Sequence, residues 1–422
     1  MKYFDYAASC PLDPEAADAY IKASTEYFGN SLSLHDTGSA AEGLLENCRR
    51  ELAILLGVES EGIYFTSGGT ESNLLAILAL LSASEKSGKH IIAGMAEHSS
   101  IHSVLEKLSL DNGYEITEIP FGADGRIDLK KLSSAIRDDT VLITIQHGNP
   151  EIGTLQPVPE ISQLCRQRKI LLHSDCVHTF GKSDLKEVAS FVDSLSFSAH
   201  KFYGPKGVGG VYLKPGRRWS SFLPGVSHEK GFRPGTVNLP GIAGMTVAAQ
   251  KAYVNLNRHN SHFQTLREAL LKELESSQEK FVLYDFAGSY QLPSTLGLRL
   301  KGVEGQYIML ECNRHGYAIS TGSACSTGMK TVSKTMMALG VTEKKERNFS
   351  GFLSGGILLL RRQSHWGKSW QKWPGNSDRS NLLYSAGSYV RMRHYRIIRV
   401  RKNEGTKKGA RRGAKDLSAS AS

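Results

Sequence analysis

Lys201 lies in the run Ser198-Ala199-His200-Lys201, which continues as Tyr203-Gly204-Pro205-Lys206-Gly207. A lysine just past a buried strand, in a glycine-rich loop, suits Schiff-base formation with an aldehyde cofactor, because burial and nearby cations keep part of its amine deprotonated. On spacing alone a solvated loop lysine is the commoner reading, and the rest of the chain decides between the two. His173-Ser174-Asp175 places a carboxylate at a strand end, where it can keep a pyridine nitrogen protonated, as in a pyridoxal phosphate (PLP) enzyme. A capping Asp is the plain alternative. Ser67-Gly68-Gly69-Thr70, between strand and helix, forms a phosphate cradle whose small residues expose N–H groups at a helix N-terminus. His98 can stack on a cofactor ring; taken alone, a histidine here is more often a loop or core residue.

The elements that must position these residues follow from apolar periodicity. Helices are expected over 42–56, 71–84, 99–110 and 158–168, the first ending at Gly57 as a C-terminal cap. Strands are expected over 62–65, 90–93, 140–145, 169–174, 192–198 and 207–213. Strand–helix alternation with short apolar strands predicts an α/β domain with a mainly parallel sheet. A helix over 242–274, strands over 281–284 and 295–300, a helix over 304–314 and a Gly/Ser-rich stretch over 320–328 predict a second, smaller α+β domain.

The chain has 422 residues with 52 Lys/Arg and 41 Asp/Glu, a net charge of +11. Residues 344–422 hold 19 basic and 4 acidic residues, so residues 1–343 carry −4 and the excess belongs wholly to the tail. No apolar run reaches the roughly 18 residues of a membrane span, and no signal peptide is visible, which predicts a cytoplasmic protein. Six scattered cysteines without Cys-x-x-Cys spacing argue against a disulfide framework or a zinc site and fit a reducing compartment. A basic tail with Trp366, Trp370 and Trp373 within eight residues raises a nucleic-acid-binding arm as an alternative, but nucleic acid is not the expected partner.

The motifs together resemble a cysteine desulfurase of the NifS-like group, in the class V aminotransferase family with the fold-type I PLP architecture. They are Tyr3-Phe4-Asp5-Tyr6-Ala7-Ala8, Phe28-Gly29-Asn30, Thr66-Ser67-Gly68-Gly69-Thr70-Glu71-Ser72-Asn73, Glu97-His98, Glu151-Ile152-Gly153-Thr154, Ser198-Ala199-His200-Lys201, Arg233-Pro234-Gly235-Thr236 and Ser320-Thr321-Gly322-Ser323-Ala324-Cys325. The resemblance implies a seven-stranded-type sheet in a large PLP domain (16–240), an N-terminal segment (1–15) joining a small domain (241–345, incomplete), and an aberrant tail (346–422). It implies that Lys201 carries PLP and shuttles protons, Asp175 pairs with the pyridinium nitrogen, and His98 stacks over the ring. Gly69, Thr70, Ser198 and His200 would bind the phosphate, with Thr236 reaching in from the partner of a homodimer, while Asn149 and His178 would face the cofactor and Asn30 the substrate. Cys325 would be the nucleophile that takes sulfur from L-cysteine as a persulfide, leaving alanine, for delivery to an acceptor such as an iron–sulfur scaffold; likeness to a Bacillus-type subgroup points to NAD synthesis. Selenocysteine lysis or transamination, also class V reactions, are the competing activities.

Three departures stand out. Pro150 replaces a family Asn, and His178 replaces a family Gln, although an imidazole can donate to the same cofactor oxygen. After the nucleophile loop the family motif Arg-Ile-Ser-Phe-Gly, whose arginine binds the substrate carboxylate in a bidentate way that Lys would not match, is absent. The chain reads Ser350-Gly351-Phe352-Leu353-Ser354-Gly355 there. Codons can be chosen so that an offset frame restores Arg-Ile-Ser-Phe-Gly and then an amphipathic helix with an acidic first turn. A frameshift between about Lys344 and Ser350 is therefore expected, with impaired turnover as its consequence. Sequencing the gene across codons 340 to 375 checks it: an offset frame without Arg-Ile-Ser-Phe-Gly removes the explanation.

Overall fold

Apolar runs such as Val141-Leu142-Ile143 bury both faces only inside a parallel sheet covered by helices on each side, and the chain builds that arrangement. The structure, a computed structural model, describes residues 1–225, 227–286, 290–321, 333–341 and 352–356. The strands of these residues are β1 (Lys2–Tyr3), β2 (Ile63–Thr66), β3 (His90–Gly94), β4 (Glu115–Ile119), β5 (Thr140–Thr144), β6 (Leu171–Asp175), β7 (Ser194–Ser198), β8 (Gly209–Leu213), β9 (Phe281–Tyr284), β10 (Thr295–Leu300), β11 (Tyr317–Ala318) and β12 (Phe352–Gly356). The main sheet has seven strands in the order β2-β8-β7-β6-β5-β3-β4. Strands β3 to β7 are parallel, and β8 runs antiparallel to both β2 and β7. The mainly parallel α/β sheet expected from the sequence is thus present, and the C-terminal ends of β2, β3, β6 and β7 open on one edge.

Side chains alternate between the sheet faces. Ile92, Ile143, Leu172 and Leu195 meet the helices Asp36–Leu56, Val158–Gln167 and Leu239–Val254. Ile91, Leu142, Leu171 and Val211 meet the helices Gly69–Ala83 and Ser99–Asn112. Beyond this sheet, β12-β10-β9 form an antiparallel three-stranded sheet, and β1 pairs in parallel with β11.

Two expectations need correction. The helix expected over 242–274 is two helices, Leu239–Val254 and Leu256–Leu274. Asn255 breaks it: its backbone leaves helical geometry, and its amide donates to the Lys251 carbonyl at 2.9 Å, the local competition that Asn offers a helix. The aberrant tail expected over 346–422 includes a strand of a sheet, β12. It exists because β10 offers a free edge, from Thr295↔Gly356 to Arg299↔Phe352, so backbone pairing rather than side-chain alternation makes the strand. The rest of the tail, with its tryptophans and basic run, lies outside the described residues. The helix Pro14–Glu26, capped by Asp13 with Pro14 in its first turn, and the strand β4 were not anticipated.

A buried ion pair anchors the loop that leads to Arg233 and Thr236. Arg49 donates through Nη1 and Nη2 to the two carboxylate oxygens of Glu229, both at 2.9 Å, and through Nη1 to the Ile63 carbonyl at 2.5 Å. Glu229 also accepts the Phe65 N–H at 2.7 Å. Glu229 and Lys230 are left-handed, with φ of 47° and 54°, a conformation that costs a non-glycine residue about 1 kcal/mol or more. The bidentate pair holds that strained turn against β2. Glu229→Gln removes the buried bidentate partner of Arg49 and leaves only the half-exposed Glu46 at 3.0 Å as its counter-ion, so it should destabilise the protein by about 3 kcal/mol, read from urea unfolding midpoints.

The buried histidines make stability depend on pH. Burial pulls His147 and His173 down to about 4 from the ordinary value near 6.5. The unfolded chain therefore binds more protons than the folded one between these values, so stability is complete above about pH 6.5 and falls as pH drops toward 4. His147→Gln should remove one proton from this linkage, flattening the slope of unfolding free energy by about 1.4 kcal/mol per pH unit, as measured by denaturant titrations at pH 5 and 6.

Candidate active site

The helix Gly69–Ala83 starts directly after β2, and its cap, Gly68, contributes no side-chain hydrogen bond. The first N–H groups of a helix have no intrahelical partner, so those of Gly69 and Thr70 are presented to a ligand. Gly68 has φ 147°, and a Cβ there would stand 3.6 Å from the Ser198 Oγ, on the cradle wall. A cleft of roughly 490 Å³ opens at this point, lined by Ala8, Ser9, Ser67–Glu71, Ser198, His200, Lys206 and Gly207. Four expected phosphate ligands, Gly69, Thr70, Ser198 and His200, therefore share one cleft although they come from two strand ends.

Lys201 follows His200 in the short turn after β7. Its Nζ donates to the carbonyls of Ala7 at 2.5 Å and Ala8 at 3.1 Å, so the N-terminal segment closes over the lysine. Tertiary structure also sets the charges. Burial, followed by the charges of Lys201, Lys206 and Lys182, pulls His200 down to about 4, so its ring is neutral at physiological pH. Burial, with Lys201 adding to it, lowers Lys182 to about 8.

Asp175 ends β6. Its Oδ1 accepts the Val177 N–H at 2.9 Å, and its Oδ2 accepts the Asn73 amide at 2.8 Å. His98 caps the helix Ser99–Asn112: its Nδ1 accepts the Ser100 N–H at 3.2 Å and lies 2.9 Å from the Ser100 Oγ. Beside it, Glu97 is buried, accepts the Gln146 N–H at 2.6 Å through Oε1, and has its pKa raised well above the carboxylate range by burial. Its other oxygen, Oε2, has no partner among the described residues. Glu97 was quoted from sequence only as part of a motif.

The remaining predicted residues are placed as follows. His178 is buried with Nε2 3.3 Å from the Thr295 Oγ1, and its Nδ1 has no partner among the described residues. Burial holds it well below the usual imidazole range, so it is a neutral ring. Asn149 is buried and holds a turn: its Oδ1 accepts from Glu151 and Ile152, and its Nδ2 donates to the Thr335 Oγ1 at 3.0 Å. Asn30 is exposed and accepts the Leu32 N–H at 3.0 Å. Thr236 is exposed and does not line the cleft. Cys325 lies outside the described residues.

These residues fit PLP. The cradle supplies N–H donors and a neutral imidazole for a phosphate, and Lys206 supplies a cation. Asp175 offers a carboxylate, Lys201 an amine, and the orphaned Nδ1 of His178 a buried atom that a cofactor oxygen would satisfy. No helix among the described residues is long and apolar enough to cross a membrane.

Comparison with known proteins agrees with this geometry. The sequence model of the aminotransferase class-V family matches residues 2–343. A putative cysteine desulfurase NifS of Bacillus subtilis is 43% identical over 350 residues, covering 83% of this chain and 88% of that protein. A cysteine desulfurase IscS of Dictyoglomus turgidum is 38% identical over 342 residues, covering 80% and 86%. Among solved structures, a NifS-like protein superposes with a TM-score of 0.78 at 28% identity over 87% of this chain and 97% of that one. SspA in complex with cysteine gives 0.70 at 29% identity over 85% and 99%. The chain has the fold-type I architecture of PLP-dependent enzymes, and it belongs to the class-V aminotransferase family, among cysteine desulfurases of the NifS and IscS kind.

Proposed function

We propose that this chain is a PLP-dependent L-cysteine desulfurase that loads sulfur onto Cys325 as a persulfide, releases alanine, and passes the sulfur to an acceptor protein, such as an iron–sulfur scaffold, in the cytoplasm. A link to iron–sulfur delivery for NAD synthesis is the finer form of this reading. The observation that carries it is the convergence of cradle, lysine and carboxylate on one sheet edge. Ser67–Thr70 follow β2, Ser198–Lys201 follow β7, and Asp175 ends β6.

PLP, when bound, supplies an electron sink at its protonated ring nitrogen. The protein does the rest. Asp175 is held in place as an acceptor for that nitrogen, because the Asn73 amide and the Val177 N–H donate to its two oxygens. Lys201 would supply the amine for the cofactor aldehyde and move protons at the substrate carbon. His98 would lie against the ring, and Ser198, His200, Gly69 and Thr70 would hold the phosphate. His178 would complete the cofactor surroundings, with Asn149 holding the turn beside them, and Asn30 would contact the substrate. Thr236, exposed in its own protomer, reaches the cradle of a second copy in a homodimer.

The thiol chemistry narrows to Cys325. The other five cysteines, Cys10, Cys48, Cys165, Cys176 and Cys312, are buried, and burial raises every one of their thiols, Cys312 to about 12. A buried thiol with a raised pKa is a poor nucleophile at neutral pH. The transfer balances without an external oxidant: the Cys325 sulfur bonds to the substrate sulfur as the substrate C–S bond breaks. The electron pair stays at carbon, and a proton there completes alanine.

The chain should bind PLP, seen as a yellow absorbance band that Lys201→Ala removes. Sulfide release from L-cysteine with a thiol reductant should be weak, because the family's carboxylate arginine is missing. Mass spectrometry should find the 32 Da sulfur adduct on the Cys325 peptide, and Cys325→Ala should abolish it while keeping the absorbance band. Full cysteine turnover in Cys325→Ala would overturn the persulfide reading and favour another class V reaction.

A further inference from the structure

Strands β6 and β7 carry a polar stripe where a buried parallel sheet calls for apolar residues. His173 and Asp175 alternate with Leu172 and Ser174, and Ser194 and Ser196 alternate with Leu195 and Phe197. All four stripe residues are buried and face the helix Gly69–Ala83, an almost wholly apolar helix that places one buried amide, Asn73, against them. A buried amide without partners is costly, and here every one of its hydrogen bonds is made. Nδ2 donates to the Asp175 Oδ2 at 2.8 Å and to the Ser100 Oγ at 3.0 Å. Oδ1 accepts from the Ser196 hydroxyl and from the His173 Nε2, the latter at 3.2 Å.

The amide orientation is forced. Flipping it would bring the oxygen of Asn73 against the carboxylate oxygen of Asp175. With Oδ1 as acceptor, His173 must carry its proton on Nε2, so its Nδ1 accepts from the Ser194 hydroxyl at 2.8 Å. The second arm has the same logic. Ser100 Oγ receives the Asn73 hydrogen and directs its own hydrogen to the His98 Nδ1 at 2.9 Å, where the Ser100 N–H also donates. His98 therefore carries its proton on Nε2.

We infer that Asn73 is a positioning residue for the cofactor site: one amide N–H donates to the Asp175 carboxylate, and the other occupies the Ser100 Oγ so that the Ser100 hydroxyl hydrogen is directed to the His98 Nδ1, which the Ser100 N–H also holds as an acceptor. This rests on the PLP reading above for the roles of Asp175 and His98, whereas the hydrogen-bond network stands without it. The titratable groups around the amide are His173 and Asp175 on β6, with His98 beyond Ser100, and Glu97 acting on Asp175 through space.

Two measurements on the full chain test the inference. The first is PLP affinity from absorbance titration of the apoprotein at pH 6 and pH 8. Asn73→Ala should lose at least tenfold at both. Asn73→Asp, the isosteric change, should lose as much at pH 8 but recover most of it at pH 6, where its carboxyl, once protonated, again donates to Asp175. The second is the hydrogen bonding of the His98 Nδ1, read by nitrogen-15 NMR of histidine-labelled apoprotein with His98→Gln for assignment. Every chain should keep the Nε2–H form, because the Ser100 N–H still donates to Nδ1, but the Nδ1 resonance should shift in both Asn73→Ala and Ser100→Ala as the hydroxyl hydrogen bond is loosened or lost. Ser100→Ala should keep PLP affinity within threefold, since it cuts only the His98 arm. Unchanged affinity in Asn73→Ala together with an unchanged His98 Nδ1 resonance would overturn the inference. Absence of PLP binding in every chain, with the Nδ1 resonance still shifting in Asn73→Ala, would sink the cofactor reading and leave the network as described.

Discussion

The carboxylate of Asp175 lies at the end of a buried strand, and donors converge on its two oxygens from two directions. The Val177 N–H comes from its own strand end, and the Asn73 amide crosses from the helix Gly69–Ala83, 102 residues away in sequence. This constraint explains much of the architecture around it. The helix must lie in one register on the sheet for Asn73 to reach the stripe. The stripe must alternate through β6 and β7 so that His173 and Ser196 meet the amide oxygen, and the same helix start must then fall at the cradle. One rigid helix thus places both the phosphate-binding N–H groups and the hydrogen bond that holds the carboxylate. A shift of one residue in either strand would turn the polar stripe into the opposite core.

Charge is distributed to suit an anionic ligand. Lys182, Lys201 and Lys206 act on the same cleft, and their field together with burial keeps His200 neutral. His178 is neutral for the same reasons, burial first. The positive potential therefore resides on lysines and on the start of a helix, while the imidazoles are left to donate single hydrogen bonds. On the other side, burial, with the nearby Asp175 adding to it, raises the Glu97 carboxyl well above the carboxylate range, which disfavours a second negative charge beside Asp175.

The parts around this centre are tied to it by long-range contacts. The N-terminal segment pairs through β1 with β11, bonds Asp5 to the Ser320 hydroxyl at 2.5 Å, and lays the Ala7 and Ala8 carbonyls on Lys201. These contacts join the 317–321 region to the lysine through the N-terminal segment. The loop to Thr236 is fixed at one end by the Arg49–Glu229 pair. It is fixed again by Arg233, whose Nε lies 3.2 Å from the same Glu71 carboxylate that accepts the Ser67 N–H of the cradle.

The sequence by itself determined the alternation of strands and helices, the cradle turn, the lysine loop and the confinement of positive charge to the tail. Each of these depends on neighbours within a few residues: apolar periodicity, the small residues of a turn, or local composition. It did not show the break at Asn255, because both helices present apolar faces of the same period. Nor did it show β12, a strand made by the edge it pairs with. It named Asn73 only within a motif, although polar residues alternating through two strands otherwise read as buried were the signal that an internal polar partner was needed. Tertiary structure alone decided that Asn73 meets Asp175, that Ser100 joins it to His98, and that Arg49 meets Glu229 across 180 residues. Those contacts depend on the register of helices on a sheet, which local pattern leaves open and which is settled only when the buried polar groups find their partners.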